Sequence, residues 1–508
     1  MLDHIALAFP IIFSLKAFFY IVLGLTIGFI VGALPGLNAS NTCALMLPIT
    51  VSMNLDVALV FFAAIYCGAQ YGGSVPAIMV NAPGEAGSVV TALDGHQMAI
   101  KGEPARAVGI ARTASSVGGF ISGVIVITII GSISSVALKF KSVELFFIAI
   151  IGLTMISTLI TKDARKGFLS AGLGFLVAAM SADPYGGQPR LTFGLMAFYE
   201  GLSFIPVLVG LYGVSEMLLL SKSKSLMAEG SRVITRDIVR VLLVEGSWNG
   251  IVDTLKRPVA LIRATLVGFG LGLCPGLGNA IANFVSYGVA KSVSRNPEKY
   301  GTGCPEGIIA SEACDNALCS GTMIPAFTLG IPGSGTTAIM LSAFFLHGVI
   351  PGPDIMVKQT AVVYSVLLSL IISSLLTLPL GILLSTPLLF IMYLKPKHLV
   401  PIVLFFCTIG VYSTNNSMFH VFVMFFFALV GILMRLNDIP IPPFIIALIL
   451  GPIAEQHFVR AYLLANGDIT YFFRSTISKV LIVLIVALIF QRPIRKLIRR
   501  GKVTATPV

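Results

Sequence analysis

One string of residues occurs twice in this chain, and it is a string that a continuous helix does not tolerate. Gly28 to Asn38 read GFIVGALPGLN and Gly268 to Asn279 read GFGLGLCPGLGN, with the Pro-Gly-Leu triplets beginning at Pro35 and Pro275, 240 positions apart. A second string follows each in the same order. SVPAIMVNAPG ends at Gly84 and TMIPAFTLGIPG ends at Gly333, and Pro76 and Pro83 match Pro325 and Pro332 at a common spacing of 249. Proline removes a backbone donor and crowds the preceding turn, while glycine permits backbone angles other residues avoid. Two ordered matches at nearly one offset identify an internal duplication.

The apolar content decides what such breaks are for. The 508 residues are 56% hydrophobic and only 11% charged, with a mean hydropathy of +0.95, beyond what a soluble core uses. This predicts an all-α polytopic membrane protein. The formal charge of +12 would suggest nucleic acid in a soluble protein, but here Lys and Arg gather in loops and at the tail, as the positive-inside rule requires of a membrane protein. The first apolar run has no basic residue before Lys16 and no small-residue cleavage site, so it reads as a retained helix and not a signal peptide. Paired Gly/Pro interruptions in two halves of a membrane protein mark the broken helices of a transporter binding site.

Apolar runs place spans near 10–33, 106–137, 143–160, 167–182, 199–220, 257–274, 359–392, 400–413, 418–434 and 476–491, and broken segments bring the expected total to about 10–14 membrane segments. The division is a first transmembrane repeat over 1–220, a basic cytoplasmic linker over 221–263, a second repeat over 264–491 and a basic cytoplasmic tail over 492–508. Residues 38–73 carry no Lys or Arg, whereas the matching stretch of the second half holds Lys291, Arg295 and Lys299. After the second string the bias reverses, with Lys101, Arg106 and Arg112 in the first half against Lys358 in the second. Opposite charge bias at equivalent loops predicts two inverted-topology repeats with an extracytoplasmic N-terminus and a cytoplasmic C-terminus.

Residues 71–95, YGGSVPAIMVNAPGEAGSVVTALDG, read as a re-entrant helical hairpin bracketed by Gly72-Gly73 and Pro83-Gly84 and turning at Asn81 to Gly84. Irregular backbone at membrane depth survives only where protein or a water-filled cavity satisfies it, and it leaves half-helix N-termini free to face an anion. The substrate-binding candidates of the first half are Asn38, Ser40, Asn41, Gly72, Gly73, Ser74, Asn81, Pro83, Gly84 and Ser88. Those of the second are Gly278, Asn279, Thr322, Pro332, Gly333, Ser334, Thr336 and Thr337. The coupling-ion candidates are Pro35, Gly36, Pro275, Gly276, Glu312, Asp315 and Asn316. A single Ser or Thr would normally be packing between helices; polar atoms gathered at repeated breaks need partners. Glu85 and Asp94 face a choice between a functional charge and a helix cap, and His96 and His347 flank the hairpins. The seven cysteines are scattered and read as buried small side chains. No HExxH, Walker loop, Asp-rich prenyl-transfer motif or GxSxG occurs, which argues against an enzyme.

GALPGLN at 32–38, YGGS at 71–74, NAPG at 81–84, TALDG at 91–95 and KGEPARA at 101–107 together resemble the first-half signature of the large membrane subunit of tripartite tricarboxylate transporters. PGLGNA at 275–280, EACDNA at 312–317, LGIPGSGTTA at 329–338 and LHGVIPGP at 346–353 resemble that family's second-half motifs. The resemblance implies a permease of the bacterial inner membrane that works with a small membrane subunit and a periplasmic solute-binding protein. It implies import of small di- or tricarboxylates, no cofactor, no nucleic-acid partner and coupling to sodium, with protons as the alternative. The chain departs from the usual pattern at His96-Gln97, where the family has Tyr-Pro, and at Asp315-Asn316, where it has Asn-Asn. Asp315 thereby adds a negative charge, which bears on substrate identity. The alternatives are an ion- or solute-conducting channel and a structural subunit of a membrane complex.

Overall fold

The computed structural model describes residues 2–34, 37–81, 83–159, 164–182, 188–199, 201–221, 245–275, 278–391 and 396–487. The protein is an all-α, multi-pass membrane protein. Among the described residues six helices are long and apolar enough to cross a bilayer, with shorter apolar helices beside them, and the one strand pairing among those residues is two residues long, Ser181–Ala182 against Pro189–Arg190. Helix Met418–Leu436 turns Phe422, Phe426, Leu429 and Leu433 outward, as a helix solvated by lipid does.

The duplication is visible contact by contact. Helix Leu15–Ala33 crosses helix Leu55–Val80, and helix Pro258–Gly272 crosses helix Pro305–Leu329. A Cβ on Gly28 would stand 2.6 Å from the Ile65 carbonyl oxygen, and one on Gly268 would strike the carbonyl of Cys314. Likewise Gly32 meets Ala69 as Gly272 meets Leu318, and Gly72 meets Phe29 as Gly321 meets Phe269. Every one of these partners is displaced by the spacing of its own string, 240 or 249. Without a side chain the backbones touch, and that close packing drives association where lipid removes the hydrophobic effect.

Each pair then continues alike. A break follows the first helix and a half-helix begins, Ala39–Thr50 in the first half and Gly278–Ser292 in the second. Each long inner helix ends in a left-handed cap, Asn81 at φ 54° and Gly330 at φ 71°, positions also 249 apart. The chain turns, forms a second half-helix, Ser88–Ile100 or Gly335–Leu346, and enters a long helix, Pro104–Ala137 or Thr360–Ile391.

The equivalent helices of the two halves run antiparallel. Cys67 meets Cys319 while Ser74 meets Glu312, so residue numbers rise on one inner helix as they fall on the other. Gly119 faces Ser374 and Gly131 faces Tyr364 in the same sense on the long outer pair. The half-helices are exchanged: Ala39–Thr50 packs on Gly335–Leu346, and Ser88–Ile100 on Gly278–Ser292. Each hairpin is also tied to the loop after the other half's first half-helix. Asp94 accepts the backbone N–H groups of Gly301, Gly303 and Cys304 at 2.7–2.9 Å and the Tyr287 hydroxyl at 2.7 Å, whereas His347 Nε2 lies 2.9 Å from the Met53 carbonyl. Asp94 is therefore a cap, placed just before helix Pro305–Leu329.

Several expected boundaries shift. The turn at Asn81 to Gly84 is where the sequence put it, but the first hairpin arm is part of a 26-residue helix running unbroken through Gly72-Gly73 and Pro76. The segment 10–33 divides at Ser14, whose hydroxyl accepts the Ala17 N–H and starts a new helix. Helix Ile441–Leu464 is of spanning length and carries Glu455, His457 and Arg460 at its far end, which hid it from a search for apolar runs. Arg112, counted above among loop charges, is fully buried within helix Pro104–Ala137, so the charge asymmetry there rests on Lys101 and Arg106. Residues 222–244 of the linker and the tail 492–508 lie outside the described residues. The linker's described part holds helix Glu245–Leu255, tied by Asp253 to Arg106 and Arg257, and the start of helix Pro258–Gly272.

By packing, residues 1–135 and 203–433 form one compact unit, which contains both crossings and all four half-helices. Residues 136–202 and 434–508 form another, built on helices Ser142–Leu159, Ala164–Ala178 and Ile441–Leu464. It holds an apolar cavity of about 510 Å3 walled by Phe146, Phe175 and Phe458 beside an Arg190–Glu455 ion pair.

Candidate functional site

The second inner helix carries Glu312, Asp315, Asn316 and Cys319 at intervals of three and four, so all four line one stripe of the helix. All are buried, Glu312 and Asp315 completely. An unsolvated carboxylate needs hydrogen-bond donors, and the first half supplies them. Ser74, Thr91 and Ser115 each donate to Glu312 from three different helices, Ser115 at 2.7 Å. Ser74 reaches on to Ser88 at 3.3 Å, and Thr91 to Ser311 at 2.6 Å. Ser88 and Thr91 are one turn apart, so a single face of the half-helix Ser88–Ile100 meets the acid.

Asp315 faces a different group. Asn279, at the start of half-helix Gly278–Ser292, donates to its Oδ1 at 2.6 Å. The Asn283 side chain approaches the same carboxylate, but neither it nor Asp315 Oδ2 completes a well-formed hydrogen bond, and the Asn316 side-chain amide has no partner. Gly87, immediately before half-helix Ser88–Ile100, stands so close that a Cβ there would lie 2.5 Å from Asn283 and 2.7 Å from Asp315. The positive end of that half-helix, which has no side-chain cap of its own, is thus turned toward a carboxylate.

The N-termini of Ala39–Thr50 and Gly335–Leu346 are occupied by the chain itself. Asn38 Oδ1 accepts the Asn41 N–H at 2.7 Å, and Glu85 bonds the backbone of Ala39 and Ala86 while its second oxygen has no partner. Ser334 and Thr337 form a reciprocal capping box. Ser40 and Thr336 then join the two capped ends at 3.1 Å, while Gly335 packs against Ser40. The first turns of these two half-helices therefore lie beside each other across the two halves.

The sequence candidates divide accordingly. Ser40, Ser74, Ser88, Asn279, Glu312, Asp315, Asn316 and Thr336 come together at the interlocked halves. Asn38, Ser334 and Thr337 are there as caps, with Asn41 buried behind Asn38. Gly72 serves the helix crossing, and Gly84 lies against the backbone of Gly32. Gly73 lies against Glu85 and Ser88, and Gly333 against Thr322. Thr322 donates to its own helix at Cys319, and Asn81 is an exposed left-handed cap. Gly278 opens its helix at φ 68°, beyond Pro275, and Pro83 and Pro332 fix the two turns. Pro35, Gly36 and Gly276 lie outside the described residues. Sequence reasoning missed Thr91, Ser115 and Asn283. For Thr91 the signal was its position one turn after Ser88; for Ser115 and Asn283 there was none, since only the fold brings them to the acids.

The arrangement is two acidic clusters: Glu312, both of whose oxygens accept hydroxyl groups of the first half, and Asp315, held by Asn279 of its own half with one oxygen left over. Comparison with known proteins decides what kind of molecule uses it. The model of the Tripartite tricarboxylate transporter TctA family matches residues 18–446. The chain belongs to the TctA family. Two relatives from Agrobacterium vitis are similar to the chain, one over nearly its whole length and one over less than half of it. One, described as "Uncharacterized 52.8 kDa protein in TAR-I ttuC' 3'region", is 33% identical over 478 residues, 94% of this chain and 93% of the relative. The other, described as "Uncharacterized protein in TAR-II ttuC' 3'region", is 35% identical over 209 residues, 41% of this chain and 86% of the relative. No solved structure matches the chain. In this TctA-family protein both crossings, all four half-helices and both acidic clusters fall inside the matched span.

Proposed function

We propose that this permease subunit imports small di- or tricarboxylates together with sodium, with protons as the alternative ion, from a periplasmic binding protein and beside a small membrane subunit. The observation that carries the coupling is the burial of Glu85, Glu312 and Asp315 within one interlocked set of half-helices. Buried acids at membrane depth are costly and mark ion pathways. Asp315 Oδ2, Glu85 Oε2 and the Asn283 and Asn316 amide oxygens are hard donor atoms that make no well-formed hydrogen bond, the ligand type that a sodium ion takes. Glu312, already encircled by three hydroxyl groups, is the candidate proton carrier.

The direction of transport makes coupling necessary. Bringing one negative charge into a cell that is negative inside costs about 2.3 kcal/mol per 100 mV, and a divalent anion costs about twice that. Two monovalent cations only neutralise the substrate; a third lets the membrane potential drive it inward. We further propose that the two halves are inverted-topology repeats. The antiparallel course of Leu55–Val80 and Pro305–Leu329, and of their outer partners, supports this. Such a relation lets one set of broken helices face either side in turn.

The test is uptake of radiolabelled succinate, malate or citrate into sealed proteoliposomes holding this chain and the small subunit, with sodium and proton gradients imposed separately. Saturable uptake that needs a loaded binding protein and one of the two gradients is expected. Non-saturating flux without a binding protein would overturn the reading in favour of a channel.

A further inference from the structure

Arg112 is the largest fully buried side chain of the described residues. It lies within a spanning helix, and among the described residues no carboxylate stands within 4 Å of its guanidinium. Its Nη1 points to Ser385 Oγ at 3.4 Å, a hydroxyl that spends its own proton on the Gly381 carbonyl. Tyr71 lies against the same serine at 3.5 Å. The Tyr71 side chain also lies within reach of the guanidinium, but neither Nε nor Nη2 makes a hydrogen bond of good geometry. Those two nitrogens form one edge of the planar group, with their N–H bonds side by side, and this is the edge that takes the two oxygens of a carboxylate. A buried charge with that edge empty is costly. The facing helix Thr360–Ile391 has no Lys, Arg or His, so the second half offers no counterpart.

We propose that the Nε–Nη2 edge of Arg112 docks a carboxylate group of the transported anion. The inference deepens the permease reading and rests on it. Its place relative to the acids is fitting. Ser115, one turn along the same helix, donates to Glu312, and both Arg112 and Glu312 act electrostatically on the Tyr71 phenol between them. The half-helix N-termini, the other elements that could hold an anion, carry the chain's own Asn38, Glu85 and Ser334 or face Asp315. Substrate and coupling cation would then sit on neighbouring layers, the anion against Arg112 and the cation against the acids. Gly381 packs directly on the arginine stem, where a Cβ would lie 2.7 Å from Cδ. The docking edge is closed to solvent in this conformation, so the carboxylate enters as helices Pro104–Ala137 and Thr360–Ile391 part.

The test is thermal unfolding of the full chain in lipid nanodiscs, titrated with succinate and citrate at fixed sodium, for wild type, Arg112→Lys and Arg112→Gln. Saturable stabilisation of the wild type is expected, with affinity weakened about tenfold or more in Arg112→Lys, which keeps the charge but loses the paired edge. Arg112→Gln is expected to lose the response. If Arg112→Lys binds as tightly as the wild type, arginine is only a distant counter-charge to Glu312 and the proposal falls. If Arg112→Gln binds normally, it falls too. A wild type that no carboxylate stabilises would overturn the permease reading beneath it.

Discussion

Ser74 and Glu312 lie 238 positions apart, on equivalent inner helices of opposite halves, and share a hydrogen bond that solvent does not reach. Thr91 and Ser115 complete the set around the same carboxylate. An acid held in this way ties the halves together through one group that can change its charge. Replacing Ser115 with Ala removes one donor from a buried acid and is expected to cost about 1–3 kcal/mol, read as a lowered Tm in nanodiscs. An unchanged Tm would mean that Glu312 does not depend on the hydroxyl.

The helix crossings make a paired prediction. Gly28→Ala and Gly268→Ala each push a Cβ into a carbonyl of the neighbouring helix and are expected to destabilise by about 1–3 kcal/mol. Gly288→Ala is the control. It sits in half-helix Gly278–Ser292 with nothing within 4 Å of its Cβ, and alanine there is expected to be neutral or to stabilise by up to about 1 kcal/mol. Equal Tm changes at all three would contradict the crossing geometry.

The two ties between hairpins and opposite loops differ in strength. Asp94 accepts three backbone N–H groups and a phenol, so Asp94→Ala is expected to lose at least about 3 kcal/mol. His347→Ala gives up the contact to Met53 and is expected to lose only about 1 kcal/mol. Limited proteolysis of the loop 297–304 checks the difference: faster cutting is expected for Asp94→Ala alone.

Outside the membrane spans, Asp253 sets a pH dependence. Burial works to raise its carboxyl, but the hydrogen bond and charge of Arg106, with the charge of Arg257, outweigh that and hold it below the ordinary aspartate range. A depressed folded-state value means that the contribution is fully present above about pH 4, the unfolded value, and is lost as pH falls through the folded one. The pair is partly exposed, so its size is at most about 1 kcal/mol. Asp253→Asn is expected to flatten the acid end of the Tm profile by that amount and leave neutral pH little changed apart from the lost pair.

What the sequence told in advance follows from which features are local. The duplicated Gly/Pro strings announced both breaks, and Asn81 to Gly84 turned where the Pro-Gly pair required. Ser334 and Thr337 are a cap legible from spacing alone. Gly72-Gly73 misled because glycines that break a soluble helix serve here as contact points against Phe29 and Glu85. Arg112 was counted as a loop charge because linear position says nothing of depth once a helix starts at Pro104. The convergence of Ser115 and Asn283 on acids in another helix depends on the interlocking of the halves, which no local pattern encodes.

The account centres on buried acids coupling a cation to an anion, and the most direct measurement is labelled carboxylate uptake by wild type, Asp315→Asn and Glu312→Gln proteoliposomes across imposed sodium and proton gradients. The account predicts saturable, gradient-driven accumulation by the wild type and, with the fold intact by Tm, loss of accumulation in Asp315→Asn where sodium drives uptake or in Glu312→Gln where protons do. Accumulation by both variants at the wild-type rate and with the same dependence on both gradients would contradict it.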